Sequence, residues 1–535
     1  MKRFLPLFLC LSLLLGCILP LTAYATEQTD TSTAGIQQNS TVSIQTESTQ
    51  EESSTGLTDV HGFTQTCLPK SASYTLNAAG KGQANGTFYM EMPLPHNAST
   101  YTLYWGDAQG NRLAGYSALH RGEIFNYYAM FSFTEPFMVP DQAACLLIYT
   151  KGDTFGESPT PYKLDLPAYT PLQTGKKINE FVVVSDLHLG KNETAEQNFI
   201  RMLKDIKAVS PGAMGIVVAG DAVDAAHDNY YALLKQLHAQ VPDAPPIYLG
   251  IGEHEYLTPT SYEYQASAHA ANLNKFLAHA KHPMGSPLTK PYYTYYLGSQ
   301  TMVFIGADTY ENGNAAYSDE QLKWLDQTLK SSNSQRPVFV FMHQPLQDTL
   351  TGTTGTKGYD DVFNSMQVKA ILDKYSNAVI FSGHTHRSMQ EERTMYRFTG
   401  GSRAFNAASV ASLLATDQLG NNYELTGSQG YYVTVYENAV MVRGRDFSTG
   451  EWIPQACYLF DPKPDPKAPE TPTSPSGNNG ASGTTSDANT EPEEPSLLSE
   501  LAMPLVLLAC MTVIVFIFVF RKPKDSNQTP SNNQK

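Results

Sequence analysis

The sequence predicts an α/β domain preceded by a small all-β sandwich domain. Between about residues 60 and 171, short segments of alternating polarity are separated by turn clusters such as GDAQGN and MVPDQ. After about residue 177, short apolar runs that end in Gly, Asp or His alternate with amphipathic helical stretches. This second pattern is typical of a sheet that is buried on both faces.

The predicted sandwich domain occupies residues 58–172. Its strand candidates are TFYMEM, YTLYWG, YYAMFSF and CLLIYT, which are spaced as in a small antiparallel sandwich of about 100 residues. No cluster of metal ligands or nucleophiles stands out in this stretch, so a spacer domain is the favoured interpretation and no function beyond packing or binding is indicated. Cys67 and Cys145 can form a disulfide, and two buried thiols are an equally good interpretation.

The predicted α/β domain occupies residues 175–460. Its apolar runs are FVVVSD, GIVVAGD, PIYLGIG, TMVFIGAD, PVFVFMH and NAVIFSGH, and its helix candidates include 195–209 and 318–329. The strip KPYYTYYLGSQ, at 290–300, fits an edge strand or a set of aromatic faces for a base or sugar. Ligands of such sheets bind beyond the carboxyl ends of the strands, so the polar residues there are the site candidates.

Carboxylates and imidazoles accumulate at these strand ends. They are Asp186, His188, Asp221, Asp224, Glu253, His254, Glu255, His343, His384 and His386. One such residue alone is well explained as a helix cap or a surface side chain. Together they form the ligand mixture that suits Zn²⁺, Mn²⁺ or Fe. Two such ions about 3.5 to 4 Å apart can orient a phosphate, generate hydroxide at neutral pH and stabilise an in-line displacement.

Five blocks carry a resemblance to a known family. In order, SDLHLG, GDAVD, GEHE, MHQP and GHTH resemble the motifs of the calcineurin-like metallophosphoesterases. The resemblance runs from about Phe181 to His386 and implies a four-layer αββα sandwich, in which two mixed sheets stack face to face with helices outside. It also implies a phosphoesterase that binds two metal ions, Mn, Zn or Fe.

The resemblance divides the metal ligands into two sets. One metal is bound by Asp186, His188 and His386, the second by His343 and His384, and both by Asp221. Glu253 stands where the family has an Asn that also binds the second metal.

Five further residues receive roles. His254 is implied as the catalytic histidine that faces the leaving oxygen. Asp224 either caps backbone N–H groups of its loop or supports His254, and Glu255 is expected to accept a hydrogen bond from His254 and keep it protonated. Arg387 is a candidate phosphate contact or an exposed salt bridge, and Asn406 is a candidate substrate contact.

Glu253 leaves the function open in one respect. A carboxylate in place of an amide tightens cation binding but repels a phosphate dianion, since unit charges about 4 Å apart interact by roughly 4 kcal/mol at an effective dielectric of 20. The sequence favours an active, metal-dependent phosphoesterase for monoesters or diesters, because every other ligand and His254 remain. The alternatives are an enzyme tuned to diesters and a catalytically weak metal-binding surface protein that acts as a binding module.

The chain ends predict export and anchoring. Residues 1–25 have a basic start, an apolar run and an Ala-Tyr-Ala site, typical of a secretory signal; a lipoprotein box ending at Cys17 is the less favoured alternative. Residues 498–520 are predicted to cross the membrane, and the basic residues of 521–535 indicate a cytoplasmic tail.

Two stretches are too polar to bury a core. Residues 26–57 are predicted to be disordered, and 461–497, rich in Pro, Ser and Gly, to form a stalk. The net charge of −15 argues against nucleic-acid binding. We therefore expect a single-pass protein of the cell membrane whose catalytic domain lies outside and acts on a small or cell-surface phosphate ester.

Overall fold

The computed structural model describes residues 44–48, 56–58, 64–77, 83–153, 156–166, 173–280, 288–311, 314–353, 362–416 and 421–461. The chain divides into two units, Met1–Ala468 and Pro469–Lys535, and all of these residues belong to the first. The predicted signal peptide, membrane helix and tail, and the stalk beyond residue 461, lie outside the described residues. Among the helices that are described, none has the length and apolar character needed to cross a membrane.

The N-terminal part is a sandwich of antiparallel sheets. Its strands are β1 (Ile44–Ser48), β2 (Gly56–Thr58), β3 (Thr64–Thr66), β4 (Ser71–Asn77), β5 (Gln83–Glu91), β6 (Ala98–Gly106), β7 (His120–Glu123), β8 (Tyr128–Met138), β9 (Cys145–Gly152), β10 (Gly156–Glu157) and β11 (Tyr162–Asp165). In the described ranges, one sheet has the order β1-β4-β5-β8 and the other β10-β9-β6-β7, with β11 paired to β9. The predicted all-β region is confirmed.

Alternating polarity explains the sandwich. In β6, Tyr101, Leu103 and Trp105 are buried while the residues between them are partly exposed, so one face of the strand enters the core. The expectation of disorder is wrong for Ile44–Ser48, whose backbone pairs with β4 through hydrogen bonds that do not require apolar side chains. Cys145 is a buried free thiol, so the disulfide that the sequence allowed is not formed.

The second part contains the remaining elements. Its strands are β12 (Lys177–Val184), β13 (Ile216–Val218), β14 (Ile247–Leu249), β15 (Tyr293–Leu297), β16 (Gln300–Phe304), β17 (Thr309–Glu311), β18 (Asn314–Ala316), β19 (Val338–Phe341), β20 (Ala378–Ser382), β21 (Met395–Arg397), β22 (Arg403–Asn406), β23 (Leu413–Thr416), β24 (Asn422–Leu425), β25 (Gln429–Tyr436), β26 (Val440–Asp446) and β27 (Glu451–Phe460). Its helices are α1 (Glu193–Val209), α2 (Asp228–Ala239), α3 (His269–His279), α4 (Asp319–Ser331) and α5 (Ser365–Leu372), with a 3₁₀ turn at His254–Tyr256.

Two mixed sheets organise this part. Over the described residues, one has the order β14-β13-β12-β25-β26-β27 and the other β15-β16-β19-β20-β22-β21. β12, β13 and β14 are parallel, as are β16, β19, β20 and β22. The pairings made by β25, β26 and β27 in the first sheet and by β15 and β21 in the second are antiparallel. The carboxyl ends of the parallel strands of each sheet therefore meet at one edge.

Four layers follow from the burial of both sheet faces. In β12, Phe181 and Val183 point to the second sheet, and the Phe181 ring lies 4.9 Å from that of Phe339 in β19. Val182 and Val184 point the other way, into a cluster with the apolar residues of α1, α2 and α3. The outer face of the second sheet packs against α4 and α5 in the same manner. The predicted α/β fold with two stacked sheets and outer helices is confirmed.

The sandwich packs directly on the second part. Ser117 and Trp452 are joined by a backbone hydrogen bond of 3.0 Å, and Trp452 donates to the Gly115 carbonyl at 2.7 Å. Apolar side chains of both parts, such as Trp105 and Tyr458, belong to one buried cluster. The limits 58–172 and 175–460 stay predictions, but the two regions share a core.

Candidate functional site

The candidate residues follow the carboxyl ends of five parallel strands. Asp186 and His188 come after β12, Asp221 and Asp224 after β13, Glu253 to Glu255 after β14, His343 after β19, and His384 and His386 after β20. The loops also bond to one another, since the Asp186 N–H donates to the Gly220 carbonyl at 3.1 Å and the Gly383 N–H to the His343 carbonyl at 2.9 Å. Parallel pairing thus brings residues up to 200 positions apart into one cleft.

The backbone is strained at this point. Left-handed φ angles, which L-residues rarely adopt, occur at Asp186 (54°), His188 (42°), Asp221 (51°), His384 (66°) and His386 (54°). Each costs on the order of 1–3 kcal/mol and persists only where the surrounding structure enforces it. The five positions all belong to the predicted metal-ligand set, so their side chains are held in place before any ligand binds.

Two glycines allow the close approach of these loops. A Cβ at Gly252 would lie 2.2 Å from Asp221 Oδ1, and one at Gly383 would lie 2.3 Å from Asp186 Oδ2. Real Cβ atoms do not approach so closely, so the glycines of the GEHE and GHTH blocks are required by the packing of the carboxylates.

Asp186, His188 and His386 form a first cluster of ligand atoms, all within 4.8 Å of one another. His386 Nε2 lies 3.1 Å from Asp186 Oδ1, and His188 Nε2 lies 3.0 Å from His386 Nε2. Two imidazole nitrogens this close to each other and to a carboxylate face a common point. The structure thus brings together the three residues that the resemblance assigns to one metal.

Asp186, Asp221 and His343 form a second cluster that shares Asp186 with the first. His343 Nε2 lies 3.0 Å from Asp221 Oδ2 and 3.9 Å from Asp186 Oδ1. His188 Nε2 is 3.9 Å from the same Asp221 oxygen. Asp221 therefore belongs to the second cluster and also lies near His188 of the first, as expected of a bridging carboxylate.

Backbone acceptors fix the orientation of the imidazoles. His343 Nδ1 donates to the Ala219 carbonyl at 3.0 Å, and His386 Nδ1 to the Ser412 carbonyl at 3.0 Å. The Nε2 atoms are therefore the ones directed into the cluster, a common arrangement for metal-binding histidines. In the described part of the chain, buried Asp186 Oδ1 and His343 Nε2 have no hydrogen-bond partner. These atoms fit a metal centre, which would supply the partner that each lacks.

The electrostatics also favour bound cations. Burial alone raises the pKa of Asp186, but His386 and His343 hold it well below its ordinary value. Burial lowers the pKa of His188, yet the carboxylates of Asp186 and Asp224 raise it to about 9. The His343 pKa rises to about 10 against the same opposition from burial, chiefly through Asp221 and Asp186. The buried carboxylates are thus stabilised by positive charge close to them. Divalent ions would provide this charge in place of the protons on the histidines.

His254 lies beside these clusters and is oriented by Asp224. Its Nδ1 donates to the Asp224 carbonyl at 2.8 Å, so its Nε2 is directed toward Asp221, whose Oδ2 is 4.0 Å away. The Asp224 carboxylate lies 3.3 Å from His188 Nδ1 and 3.7 Å from His254 Nδ1. Asp224 therefore supports both histidines, which agrees with the second of the two roles given for it, support of His254, rather than with capping of its loop.

Glu255 does not have the predicted partner. Its buried carboxylate accepts four backbone N–H groups, those of Asp221 at 3.0 Å, Ala222 at 2.8 Å, Val223 at 3.3 Å and Gly252 at 2.6 Å. The expected hydrogen bond from His254 is wrong, because the Nδ1 of His254 is already used by the Asp224 carbonyl. Glu255 instead joins the loops after β13 and β14.

Glu253 lies at the mouth of the cleft with its side chain 32% exposed. Its Oε1 is 3.7 Å from His384 Nδ1 and 3.9 Å from His254 Nε2. With Asp221 and His254 it forms a further group of ligand atoms within 4.8 Å. Burial lowers the pKa of His384, which favours the neutral, ligating form. The carboxylate is thus within reach of the position predicted for the second metal.

The two predicted substrate contacts point elsewhere. The guanidinium of Arg387 is buried and donates to Thr416 Oγ1 and Asn422 Oδ1, each at 2.6 Å. Buried Asn406 donates to the Arg387 carbonyl at 2.9 Å. Both expectations are wrong because Arg387 turns to the β23–β24 hairpin, where it lines a cavity of about 850 Å³ beside the sandwich. Neither alternative given for Arg387, a phosphate contact or an exposed salt bridge, describes it.

One residue at the site was missed in the sequence. The hydroxyl of Tyr262 donates to Asp224 Oδ2 at 2.9 Å, and its ring centroid is 6.1 Å from that of His254. It lies in an irregular loop 38 positions from Asp224, so no motif or periodicity marks it. By contrast, Tyr293, Tyr295 and Tyr296 of the strip 290–300 belong to β15, where Tyr293 and Tyr295 pack on Phe304 and Tyr248.

One known family model matches the part of the chain that carries this site. Residues 180–388 match the family model described as calcineurin-like phosphoesterase. A comparison with curated proteins finds no match.

Several solved structures are similar in fold. The purple acid phosphatase PPD1 of yellow lupin (Lupinus luteus) seeds is 13% identical with a TM-score of 0.39, over 70% of this chain and 72% of that one. PhoD is 12% identical with a TM-score of 0.33, over 71% and 87%. GAP50, the anchor in the inner membrane complex of Plasmodium, is 14% identical with a TM-score of 0.36, over 55% and 90%. With TM-scores below 0.5, these similarities carry no argument about the role of this chain.

Proposed function

We propose that this chain, whose residues 180–388 form a calcineurin-like phosphoesterase domain, hydrolyses phosphate esters at a centre that binds two metal ions. The observation that carries the proposal is the pair of ligand clusters that share Asp186, the second of which contains Asp221, 3.9 Å from His188 of the first. Bound divalent ions would supply Lewis-acid polarisation of a phosphoryl oxygen and a more acidic water. The metals proposed are Mn, Zn or Fe, the ions that suit mixed carboxylate and imidazole ligands.

The residues of the chain have distinct tasks in this proposal. Asp186, His188 and His386 would hold one ion and Asp221 and His343 the other, with Asp221 also 3.9 Å from His188. The resemblance adds His384 to the residues that would hold the second ion. Their left-handed backbone and the backbone acceptors of the imidazoles preorganise the centre, so little rearrangement is needed when substrate binds.

His254 is the proposed proton donor to the leaving oxygen. Its Nδ1 is bonded to a carbonyl, which leaves Nε2 as the atom that can carry a proton toward the cleft. The Asp224 carboxylate, 3.7 Å from Nδ1, helps to hold the ring in this orientation. A positioned general acid of this kind contributes about 10²–10⁴ to the rate.

In this proposal, Glu253 influences whether the enzyme prefers phosphate monoesters or diesters. Its carboxylate beside His384 and His254 places negative charge where the phosphate enters, which favours monoanionic diesters over dianionic monoesters. We further propose, from the sequence pattern of residues 1–25 and 498–520, that the domain acts outside the cell membrane on small or cell-surface esters.

The test is an assay of the purified full chain with Mn²⁺ or Zn²⁺ on p-nitrophenyl phosphate and bis-p-nitrophenyl phosphate. We expect metal-dependent turnover of at least one ester and a loss of about 10²-fold or more in His254→Ala. The matched control is His227→Ala, because His227 caps α2 by accepting the Asn229 N–H at 3.1 Å and belongs to none of the ligand clusters found among the described residues. Absence of turnover on both esters would favour the metal-binding surface protein, and full activity of His254→Ala would refute the role of His254.

A further inference from the structure

Tyr262 presents an aromatic ring at the mouth of the cleft. Its side chain is 71% exposed, yet its hydroxyl reaches Asp224, a carboxylate that is only 4% exposed. The phenol end is thus inserted into the site while the ring stands in solvent. Asp224 also raises the pKa of Tyr262, so the hydroxyl stays protonated and remains a donor.

Hydrogen bonds restrain the backbone on both sides of Tyr262, in addition to the bond made by its hydroxyl. The Ser261 N–H donates to the Thr258 carbonyl at 3.1 Å, and the Glu263 N–H donates to Ser261 Oγ at 3.2 Å. A tethered side chain loses rotamer freedom, and an exposed ring gains nothing from burial to offset that loss. A ligand that covers the ring would provide this missing burial.

The position of the ring indicates which part of a ligand it meets. Its centroid lies 6.1 Å from that of His254, with the planes at 61°, so the ring stands on the His254 side of the centre. If His254 faces the leaving oxygen, as in the proposed function on which this inference rests, the group above Tyr262 is the leaving alcohol. Asp224 and Glu253 surround this space with carboxylates, which disfavour a further anion there.

We infer that Tyr262 is a specificity-determining residue that stacks on an uncharged, planar aromatic ring in the leaving alcohol of the substrate. The preferred substrates are accordingly aryl-type phosphate esters rather than esters of small or saturated alcohols. One stacking contact between aromatic rings accounts for roughly tenfold in affinity. The hydroxyl of Tyr262 has a different task, which is to position Asp224. Tyr262→Phe distinguishes the two tasks because it keeps the ring and removes the hydrogen-bond donor.

The experiment compares two non-hydrolysable ligands of equal size on the Mn²⁺-loaded full chain. Benzylphosphonate carries a planar ring, whereas cyclohexylmethylphosphonate carries a saturated one, and calorimetry gives both dissociation constants. We expect the parent and Tyr262→Phe to bind the benzyl ligand about tenfold more tightly, and Tyr262→Ala to bind both equally. Tyr296→Ala is the matched control, since Tyr296 is also exposed but lies on β15, close to Val338 at the start of β19 rather than at its carboxyl end.

The outcomes separate this inference from the proposed function. Equal binding of both ligands by the parent, or a preference that survives in Tyr262→Ala, overturns the inference while phosphoesterase turnover stands. The parent protein can also show the tenfold preference for the benzyl ligand, with that preference lost in Tyr262→Ala, and yet hydrolyse neither p-nitrophenyl ester. This result supports the aromatic site and contradicts the proposed function. Turnover by Tyr262→Phe at a lower kcat with an unchanged ligand preference supports the separate task of the hydroxyl.

Discussion

The Glu255 carboxylate accepts the backbone N–H of Asp221 at 3.0 Å, which ties the loop after β14 to the residue at the centre of the site. Glu255→Gln replaces one acceptor oxygen with an amide that presents N–H groups to buried N–H donors. We expect a loss of about 1–3 kcal/mol in the free energy of unfolding, measured with urea. Glu263→Gln, an exposed change in the following loop, serves as the control and should leave stability unchanged.

The opposite result for Glu255→Gln would favour the role beside His254 that the sequence predicts for Glu255. If Glu255→Gln keeps the stability of the parent and still loses turnover, Glu255 takes part in the chemistry rather than in the joining of the loops.

Asp224→Asn should weaken metal binding. The Asp224 carboxylate lies 3.3 Å from His188 Nδ1, so its charge holds that ring with Nε2 directed at the centre. Loss of such a supporting carboxylate typically lowers metal affinity by about 10- to 100-fold, and we expect a decrease of this size in Asp224→Asn. Competition with a chromophoric chelator measures the metal affinity. Asp228→Asn is the control, because Asp228 pairs with His279 on the surface. An unchanged metal affinity of Asp224→Asn would argue that His188 is not a ligand.

Glu253→Asn should retain the metals and hydrolyse p-nitrophenyl phosphate at least as fast as the parent. The change removes a negative charge 3.7 Å from His384, where a phosphate dianion would otherwise be repelled. The gain should be larger for this monoester than for bis-p-nitrophenyl phosphate, because the diester carries one charge less. A large loss of activity would mean that Glu253 does more than replace the usual amide.

His120 in β7 should make the stability of the protein depend on pH. Burial lowers the pKa of His120 from 6.5 to about 4, and its ring stacks on Phe131 with centroids 3.6 Å apart. The unfolded chain therefore binds a proton that the folded one does not, so stability falls as pH decreases from 6.5 toward 4. Between pH 7 and about 4.5, the loss should be roughly 2 kcal/mol.

His120→Phe keeps an aromatic ring against Phe131 and removes the titration. Urea unfolding at the two pH values should show a smaller pH dependence in the variant, by about the same 2 kcal/mol. An identical pH dependence of variant and parent would show that His120 is readily protonated in the folded state.

The fold and the clustering of the candidate ligands were largely predictable because both depend on local patterns. Apolar runs such as FVVVSD alternate sharply with polar loops, so the strand ends, and with them Asp186 and His343, could be located from the sequence. Parallel pairing then brings those ends to one edge whatever the loops contain.

The remaining features depend on partners that are distant in sequence. Glu255 bonds to N–H groups more than 30 positions away, and Tyr262 bonds to Asp224, 38 positions away. Arg387 follows a residue with a left-handed φ, which turns its side chain away from the cleft in a manner that composition does not reveal. Ile44–Ser48 became a strand through backbone pairing, to which the polar composition of residues 26–57 gave no guide.

The central claim is that Asp221 joins two metal positions. The most direct test is the metal content of the Mn²⁺-equilibrated full chain, measured by mass spectrometry of the elements, for the parent and for Asp221→Ala. We expect about two ions per parent chain, as a dinuclear centre requires, and at most about one in the variant, together with the loss of ester turnover. A variant that still holds two ions and hydrolyses the esters at the parental rate would contradict the claim.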